Sequence, residues 1–169
     1  MKSQEDSQWE IALKRAISVS EFNRQIQAKK NDLHDIINQR IKEQMDWLRE
    51  EAQNLTAEYN SLNEIIRKNK TMHEWGTLTI VIRENKHSFA IEWYQNNFMK
   101  INGQWRVFKK RMKFNKKDLR FSFKKANRPK TWEVREALDL ENRFSVLRNQ
   151  INRLIAINRL TLASKQVNK

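Results

Sequence analysis

Residues 76–114 read GTLTIVIRENKHSFAIEWYQNNFMKINGQWRVFKKRMKF. Within them the hydrophobic period is two. Leu78, Ile80 and Ile82 alternate with Thr77, Thr79 and Val81, and Phe89, Ile91 and Trp93 alternate with Ala90, Glu92 and Tyr94. Alternation rich in β-branched and aromatic residues predicts two strands. Glu84-Asn85-Lys86 can turn between them, and Asn96-Asn97 predicts a bulge or turn after the second. Asn102-Gly103 is a strong hairpin signal, because a type I′ turn needs positive φ at both central positions. A third strand is expected from Gln104 to about Phe114. Neither of its faces stays apolar, so it should leave the core and project its basic end into solvent. The expectation is an antiparallel meander of three or four strands.

On the N-terminal side the period changes. From Phe22 to about residue 70 there is neither Gly nor Pro. Met45, Leu48, Ala52, Leu55, Tyr59, Leu62 and Ile66 follow a 3-4 spacing, a heptad seam. Phe22, Ile26, Leu33, Ile37 and Ile41 extend it less regularly. Residues 1–19 carry Trp9, Ile11, Leu13 and Ile17 and predict a short helix or a frayed end, with Ser20 as a candidate cap for the next helix. Asn31-Asp32, with Asp35 beyond, predicts a second cap and a break. Residues 1–70 hold twelve basic and twelve acidic side chains. A neutral helix with one apolar seam must bury that seam against the C-terminal helix, a second copy, or both, which is the case for a homodimer.

On the C-terminal side, residues 115–130 predict a loop or short helix, and Pro129 suits the first turn of a helix. Thr131 should open that helix, which runs to about Ser164, with Ala137, Leu140, Phe144, Leu147, Ile151 and Leu154 as its seam. The fold class is α+β: a long N-terminal coiled-coil-like helix over residues 1–70, a β-meander with basic strand and loop over 71–130, and a C-terminal helix over 131–169. The last packs along the first, so that the three parts make one domain.

Charge is segregated along this frame. Residues 100–130 contain thirteen Lys and Arg against Asp118 alone, about +12 of the chain's net +14. Basic residues with aromatics between them have the composition of a nucleic-acid surface. The candidate DNA contacts are Arg106, Lys109, Lys110, Arg111, Lys113, Lys116, Lys117, Arg120, Lys124, Lys125, Arg128 and Lys130. Arg106, Arg111 and Arg120 are the better candidates for base edges, since a guanidinium reaches guanine bidentately. Trp93, Trp105 and Trp132 invite a base-stacking role, but tryptophan is the largest apolar side chain a small sheet can use, so at least two are expected in the core.

The chemistry of an enzyme is missing. There is no Cys, and His34, His73 and His87 share no metal-ligand spacing. Tyr59 and Tyr94 sit near no paired-His motif, the two glycines are isolated, and Glu50-Glu51 has the spacing of a solvated helix face. No cofactor or metal is expected. The opening MKSQEDSQWE lacks the apolar core of a signal peptide, and no apolar run approaches a membrane span. The expectation is a cytoplasmic protein without a membrane partner.

The run IEWYQNNFMKINGQWRVFKKRMKFNKKDLRFSFKKA, followed by TWEVREALDLENRFSVLRNQI, resembles the MobI family of conjugative transfer proteins. The matching features are Trp93, the Asn-Gly hairpin, the basic strand and loop, then Trp132-Glu133 opening a helix with Glu141-Asn142-Arg143-Phe144 and Arg148. The resemblance spans roughly residues 75–150. It implies an auxiliary factor that binds double-stranded DNA at an origin of transfer and assists a relaxase, with no catalytic residues. A coiled-coil adaptor with a basic surface and an RNA-binding protein are the alternatives.

Overall fold

A computed structural model describes residues 4–71, 74–124, 126 and 129–166, with side chains from residue 15 to residue 164. Its elements are α1 (Gln4–Asn69), β1 (Leu78–Asn85), β2 (Ser88–Ile101), β3 (Gln104–Arg111), β4 (Lys113–Asn115), β5 (Arg120–Ser122) and α2 (Thr131–Gln166). β1, β2 and β3 form an antiparallel sheet with β2 in the centre, and β4 and β5 form a separate two-stranded sheet.

The two helices run antiparallel. Tyr59 meets Glu133, Arg143 lies beside Glu58, and Ser164 reaches His34. Met45, Leu48, Ala52, Leu55 and Tyr59 are buried, as are Ala137, Leu140, Phe144, Leu147 and Ile151. Leu62, Ile66 and Leu154 are half-buried. Both seams close on each other and on Leu78, Ile80, Phe89, Ile91 and Trp93 of the sheet, in one core. Trp93 is the hub of that core, with edge contacts to Tyr59 at 5.3 Å, Phe123 at 5.2 Å and Phe144 at 6.2 Å between ring centres. Of the partners expected for the 45–66 seam, the C-terminal helix is the one the structure shows, and the seam is buried inside one chain.

At 66 residues α1 is about 100 Å long, and α2, at 36 residues, about 54 Å. The excess of α1 projects past the end of α2 as a lone helix. From residue 15 to 33 every side chain except the half-buried Lys30 is exposed. The side chains of Trp9, Ile11 and Leu13 lie outside the described residues. The break expected at Asn31-Asp32 does not occur. Asn31 accepts a hydrogen bond from Gln27 one turn earlier, and the Ser20 hydroxyl donates back to the carbonyl of Ile17. A capping side chain ends a helix only where the preceding residues have a better use for their backbone, and here they do not.

Three further expectations are corrected. Asn96-Asn97 is neither bulge nor turn but the middle of β2. The Asn96 amide bonds to the carbonyl of Thr77 at 2.7 Å and its side chain donates to the Thr79 hydroxyl at 2.6 Å, so pairing on both edges overrides a turn-forming residue type. The first hairpin turns at Lys86-His87, with Asn85 paired to Ser88. Residues 115–130 are not simply a loop, because β5 returns on β4 (Lys113↔Ser122, Asn115↔Arg120).

Gly76 stands where the chain enters the sheet. A Cβ there would lie 2.8 Å from the Glu133 carboxylate and 3.0 Å from Trp132. Glu133 needs that space, because it accepts from the Leu78 amide, from the Thr77 hydroxyl at 3.3 Å and from Tyr59 at 3.4 Å.

Candidate nucleic-acid interface

Of the twelve basic candidates, the ten among the described residues fall on two hairpins and on the segment leading into α2. The first hairpin is made by β3 and the outer half of β2. Their register runs from Tyr94↔Arg111 to Ile101↔Gln104, about 27 Å at 3.4 Å per residue. β1 covers β2 only as far as Gln95, so beyond that point the sheet narrows to a two-stranded ribbon. All of β3 is exposed on both faces. At the tip Asn102 has φ 50° and Gly103 φ 80°, the positive angles of the expected turn. One face presents Asn96, Phe98 and Lys100 of β2 opposite Lys109, Val107 and Trp105 of β3. The other presents Asn97 and Met99 opposite Phe108 and Arg106, with Lys110 opposite Gln95 nearer the base.

The base of the ribbon is an ion cluster around Glu92, which is 1% exposed. Arg111 approaches its carboxylate at 2.8 Å and Arg83 at 3.3 Å, and the Tyr94 hydroxyl donates to it at 2.8 Å. A buried carboxylate has to be paired. Arg111, expected among the base-reading residues, spends its charge here. The Met112 amide then bonds to the Trp93 carbonyl at 2.9 Å, where the chain turns into β4.

The second hairpin exposes Lys113, Lys116, Lys117 and Arg120. In its turn the Asn115 side chain accepts from the Lys117 amide at 3.0 Å and donates to Asp118 at 2.6 Å. Phe114 and Phe121 pair at 4.8 Å on the inner face, and the Arg148 guanidinium lies 5.6 and 5.0 Å from their centres. Arg148 grips Glu141 with two hydrogen bonds of 2.6 and 3.1 Å and donates to the carbonyls of Leu119 (3.0 Å) and Ile91 (3.3 Å). Glu141 also accepts from the Phe121 amide at 2.7 Å and the Trp93 indole at 2.8 Å. Leu119 has φ 54°, an unusual angle for a leucine, held by Arg148 on its carbonyl. One buried ion pair therefore ties the second hairpin to α2, β2 and the central tryptophan.

Lys124 is exposed, and Lys130 is half-buried with its amide turned to Glu133 at 3.4 Å. Lys125, Arg128 and His73 lie outside the described residues. The three tryptophans part company: Trp93 is fully buried, Trp132 half-buried and Trp105 64% exposed. Only one belongs to the core, because the sheet runs on past it. The polar hubs Glu92, Glu133, Glu141 and Arg148 were not legible as such. Their one signal is a charged residue set on an apolar stripe, as Glu141 beside Leu140 and Arg148 beside Leu147.

No group of three or more His, Cys, Asp or Glu side chains among the described residues is arranged to hold a metal ion. A cavity of about 240 Å3 between the start of β2, the second hairpin and α2 is lined by Phe114, Phe121, Ile151 and Ile155, and its charged groups, Glu92, Arg111 and Arg148, are already paired within the protein. No helix among the described residues is long and apolar enough to cross a membrane.

Residues 48–161 match the family described as MobI protein, more than half of the chain. The chain belongs to the MobI family. That makes it a mobilisation protein of conjugative transfer. The matched span holds both basic hairpins and all four polar hubs and leaves out the projecting part of α1. No curated protein and no solved structure matches the chain.

Proposed function

We propose that this MobI protein is a sequence-specific, non-enzymatic DNA-binding factor that recognises duplex DNA at an origin of transfer and assists the relaxase there. The observation that carries this is the ribbon: β3 exposed along its whole length and β2 exposed beside it from Phe98 to Lys100, with no acid between Glu92 and Asp118. The major groove of B-DNA, about 12 Å wide, admits a two-stranded ribbon, whereas the deep, narrow groove of A-form RNA does not. Duplex DNA is thereby favoured over RNA. Lys109, Lys110 and the second hairpin's Lys116, Lys117 and Arg120 would neutralise phosphates. Arg106, unpaired with any acid in the ribbon register, is the best placed for a base edge.

The test is a binding titration against salt with an origin-of-transfer duplex and a random duplex. Affinity should fall by roughly 10³-fold or more between about 50 and 200 mM salt, and the origin duplex should compete better. A flat salt response, or equal competition by the random duplex and by RNA, rejects the proposal.

A second reading, an adaptor that binds protein, is favoured by the projecting helix. Val19, Phe22, Ile26, Leu33 and Ile36 are each about half exposed or more, at spacings that fit a heptad with Lys29 in the remaining position. With the 45–66 seam closed, self-association would have to use this stripe. Light scattering on the full chain and on Phe22→Asp/Ile26→Asp checks it: a dimer that becomes a monomer supports self-association, and identical masses reject it.

A further inference from the structure

The ribbon carries more than phosphate binding requires. Trp105 sits one pair from the Asn102-Gly103 turn and is 64% exposed. Beside it on the same face lie Val107 and Phe98, 52% and 44% exposed, and on the opposite face Met99 and Phe108, 54% and 45%. Cations flank these groups at every step: Lys100 faces Trp105, Lys109 follows Val107, and Arg106 faces Met99. A phosphate grip needs the cations only. Apolar side chains held in water at the end of a cationic arm gain when they enter another apolar layer, and the layer that polyanionic DNA offers is the stack of its bases.

We propose that the ribbon is a wedge, with Trp105 inserting between base pairs of duplex DNA at its tip and kinking the helix. This deepens the DNA-binding reading and rests on it. Four features suit the role. The tip is narrow, since a two-residue turn closes it. Its base is fixed by Glu92 with Arg111, Arg83 and Tyr94 and by the Met112–Trp93 backbone bond, so force at the tip is not lost in bending the arm. An indole presents a flat face to the bases on either side. Finally, Lys100 faces Trp105 across the strand pair, where it would hold a phosphate of the opened step. Inserted side chains of this kind unstack a base step and bend the duplex, and the bend returns contact with more of the protein. For a factor that prepares DNA for a strand-cutting enzyme, local unstacking is a direct contribution.

The test uses the full chain and a duplex of about 30 base pairs with fluorophores at its ends and one central TA step, the kind most easily kinked. The adenine of that step is replaced by 2-aminopurine. Parent protein should raise both the end-to-end energy transfer and the 2-aminopurine emission. Trp105→Ala, at a position 64% exposed, should still bind in a salt-dependent way, within about tenfold of the parent, while both signals are lost. Trp105→Phe should restore a part of each.

If Trp105→Ala bends and unstacks the duplex as well as the parent, the wedge is rejected. If the parent binds in a salt-dependent way but raises neither signal, the wedge is rejected and DNA binding stands. Failure of the parent to bind at low salt removes DNA binding itself. Anionic phosphatidylserine vesicles run in parallel separate a lipid role: a blue-shifted tryptophan emission on vesicles that Trp105→Ala abolishes, with no response to the duplex, would assign the tip to a membrane surface and overturn the proposal.

Discussion

The β2–β3 ribbon and the β4–β5 hairpin carry the same kind of charge and leave the same core, but they are held differently. The ribbon is fixed at its base only. Its ion cluster sits at one end of a strand pair about 27 Å long, and beyond Asn96, the last residue bonded to β1 and its approach, the two strands pair only with each other. The β4–β5 hairpin is short and is held along its inner face by Phe114, Phe121 and the Glu141–Arg148 pair. One basic surface can therefore follow a groove, and the other can only meet what is brought to it. A rigid phosphate anchor beside a long reader divides position from readout, as protein–DNA contacts generally do.

Both hairpins depend on one core, so the largest effect should come from damage there. Leu55 is 1% exposed and packs among both helices and the sheet. Leu55→Asp would bury a charge without a partner, and the expected cost, well above about 4 kcal/mol, should unfold the chain and remove both hairpins together. Circular dichroism and the melting curve measure this. A folded Leu55→Asp protein of half the mass would instead restore the 45–66 seam as an interface between copies.

Next in size is the clamp that separates the two hairpins. Arg148→Met leaves Glu141 buried and uncompensated, which should cost roughly 3–5 kcal/mol. Glu141→Gln/Arg148→Met should recover much of that, since no lone charge then remains. Urea unfolding gives the energies, and hydrogen exchange gives the place: the Phe121 amide should lose protection while the amides of the ribbon base keep theirs. Equal loss in both hairpins would mean that they are not independently held.

Smaller still are the surface changes, which bear on the division of labour directly. Lys116→Ala/Lys117→Ala/Arg120→Ala and Arg106→Ala/Lys109→Ala/Lys110→Ala each remove three positive charges. Loss of three phosphate contacts should lower the salt slope of the hairpin variant by about 2.7, and loss of the two from Lys109 and Lys110 should lower that of the ribbon variant by about 1.8. The hairpin variant should weaken binding to origin and random duplexes alike. The ribbon variant should also lose discrimination, by roughly 1–3 kcal/mol per lost base contact. Identical effects on the two duplexes from both variants would make the ribbon a second anchor and not a reader.

How far the fold is legible in the sequence depends on the range of the interactions. The two-residue period from Thr77 to Ile82, the Asn102-Gly103 turn and the 3-4 spacing of Leu48, Ala52 and Leu55 are local patterns, and they predict long helices and an antiparallel sheet of three or four strands, of which the structure has three. The second sheet is not legible. Its strands are three residues long, and Phe121 and Leu119 are held in place by Glu141 and Arg148, some twenty to thirty residues away. Alternation says which face Trp93 and Trp105 share with their neighbours but not where the core stops, because that depends on β1 ending short of β2. Nor does a seam name its partner: the spacing of residues 45–66 fits a second copy as well as it fits α2. The basic residues stand out by charge, but the commitment of Arg111 to Glu92 needs the register.

The smallest expected effect concerns the ribbon base alone. Tyr94 donates its hydroxyl hydrogen to Glu92, and the pKa of the phenol is raised, first by that hydrogen bond and then by burial and by the charge of Glu92, with Arg111 and Arg83 opposing. A raised folded-state value means that the folded protein holds the proton more tightly than the unfolded chain. The contribution is then complete below the ordinary tyrosine value of about 10 and is lost as pH rises through the raised one. At pH 8, Tyr94→Phe should lower stability by about 0.5–1.5 kcal/mol, the worth of one hydrogen bond. As pH climbs past about 10 the difference between parent and variant should shrink, because the unfolded chain's phenol ionises first and, above the raised folded value, the phenolate can no longer donate to Glu92. Tyr59, whose pKa is raised chiefly by burial and then by Glu133, titrates in the same alkaline direction, but it is present in both proteins and cancels in the difference. Paired urea unfolding at pH 8 and pH 10.5, with hydrogen exchange on the Met112 and Phe121 amides, separates the outcomes. Protection should fall at Met112 and hold at Phe121, whose carboxylate partner Glu141 is held by an arginine and an indole and not by a phenol. A Tyr94→Phe deficit that stays constant from pH 8 to pH 10.5 would show that the hydroxyl is not what fixes the ribbon to its base.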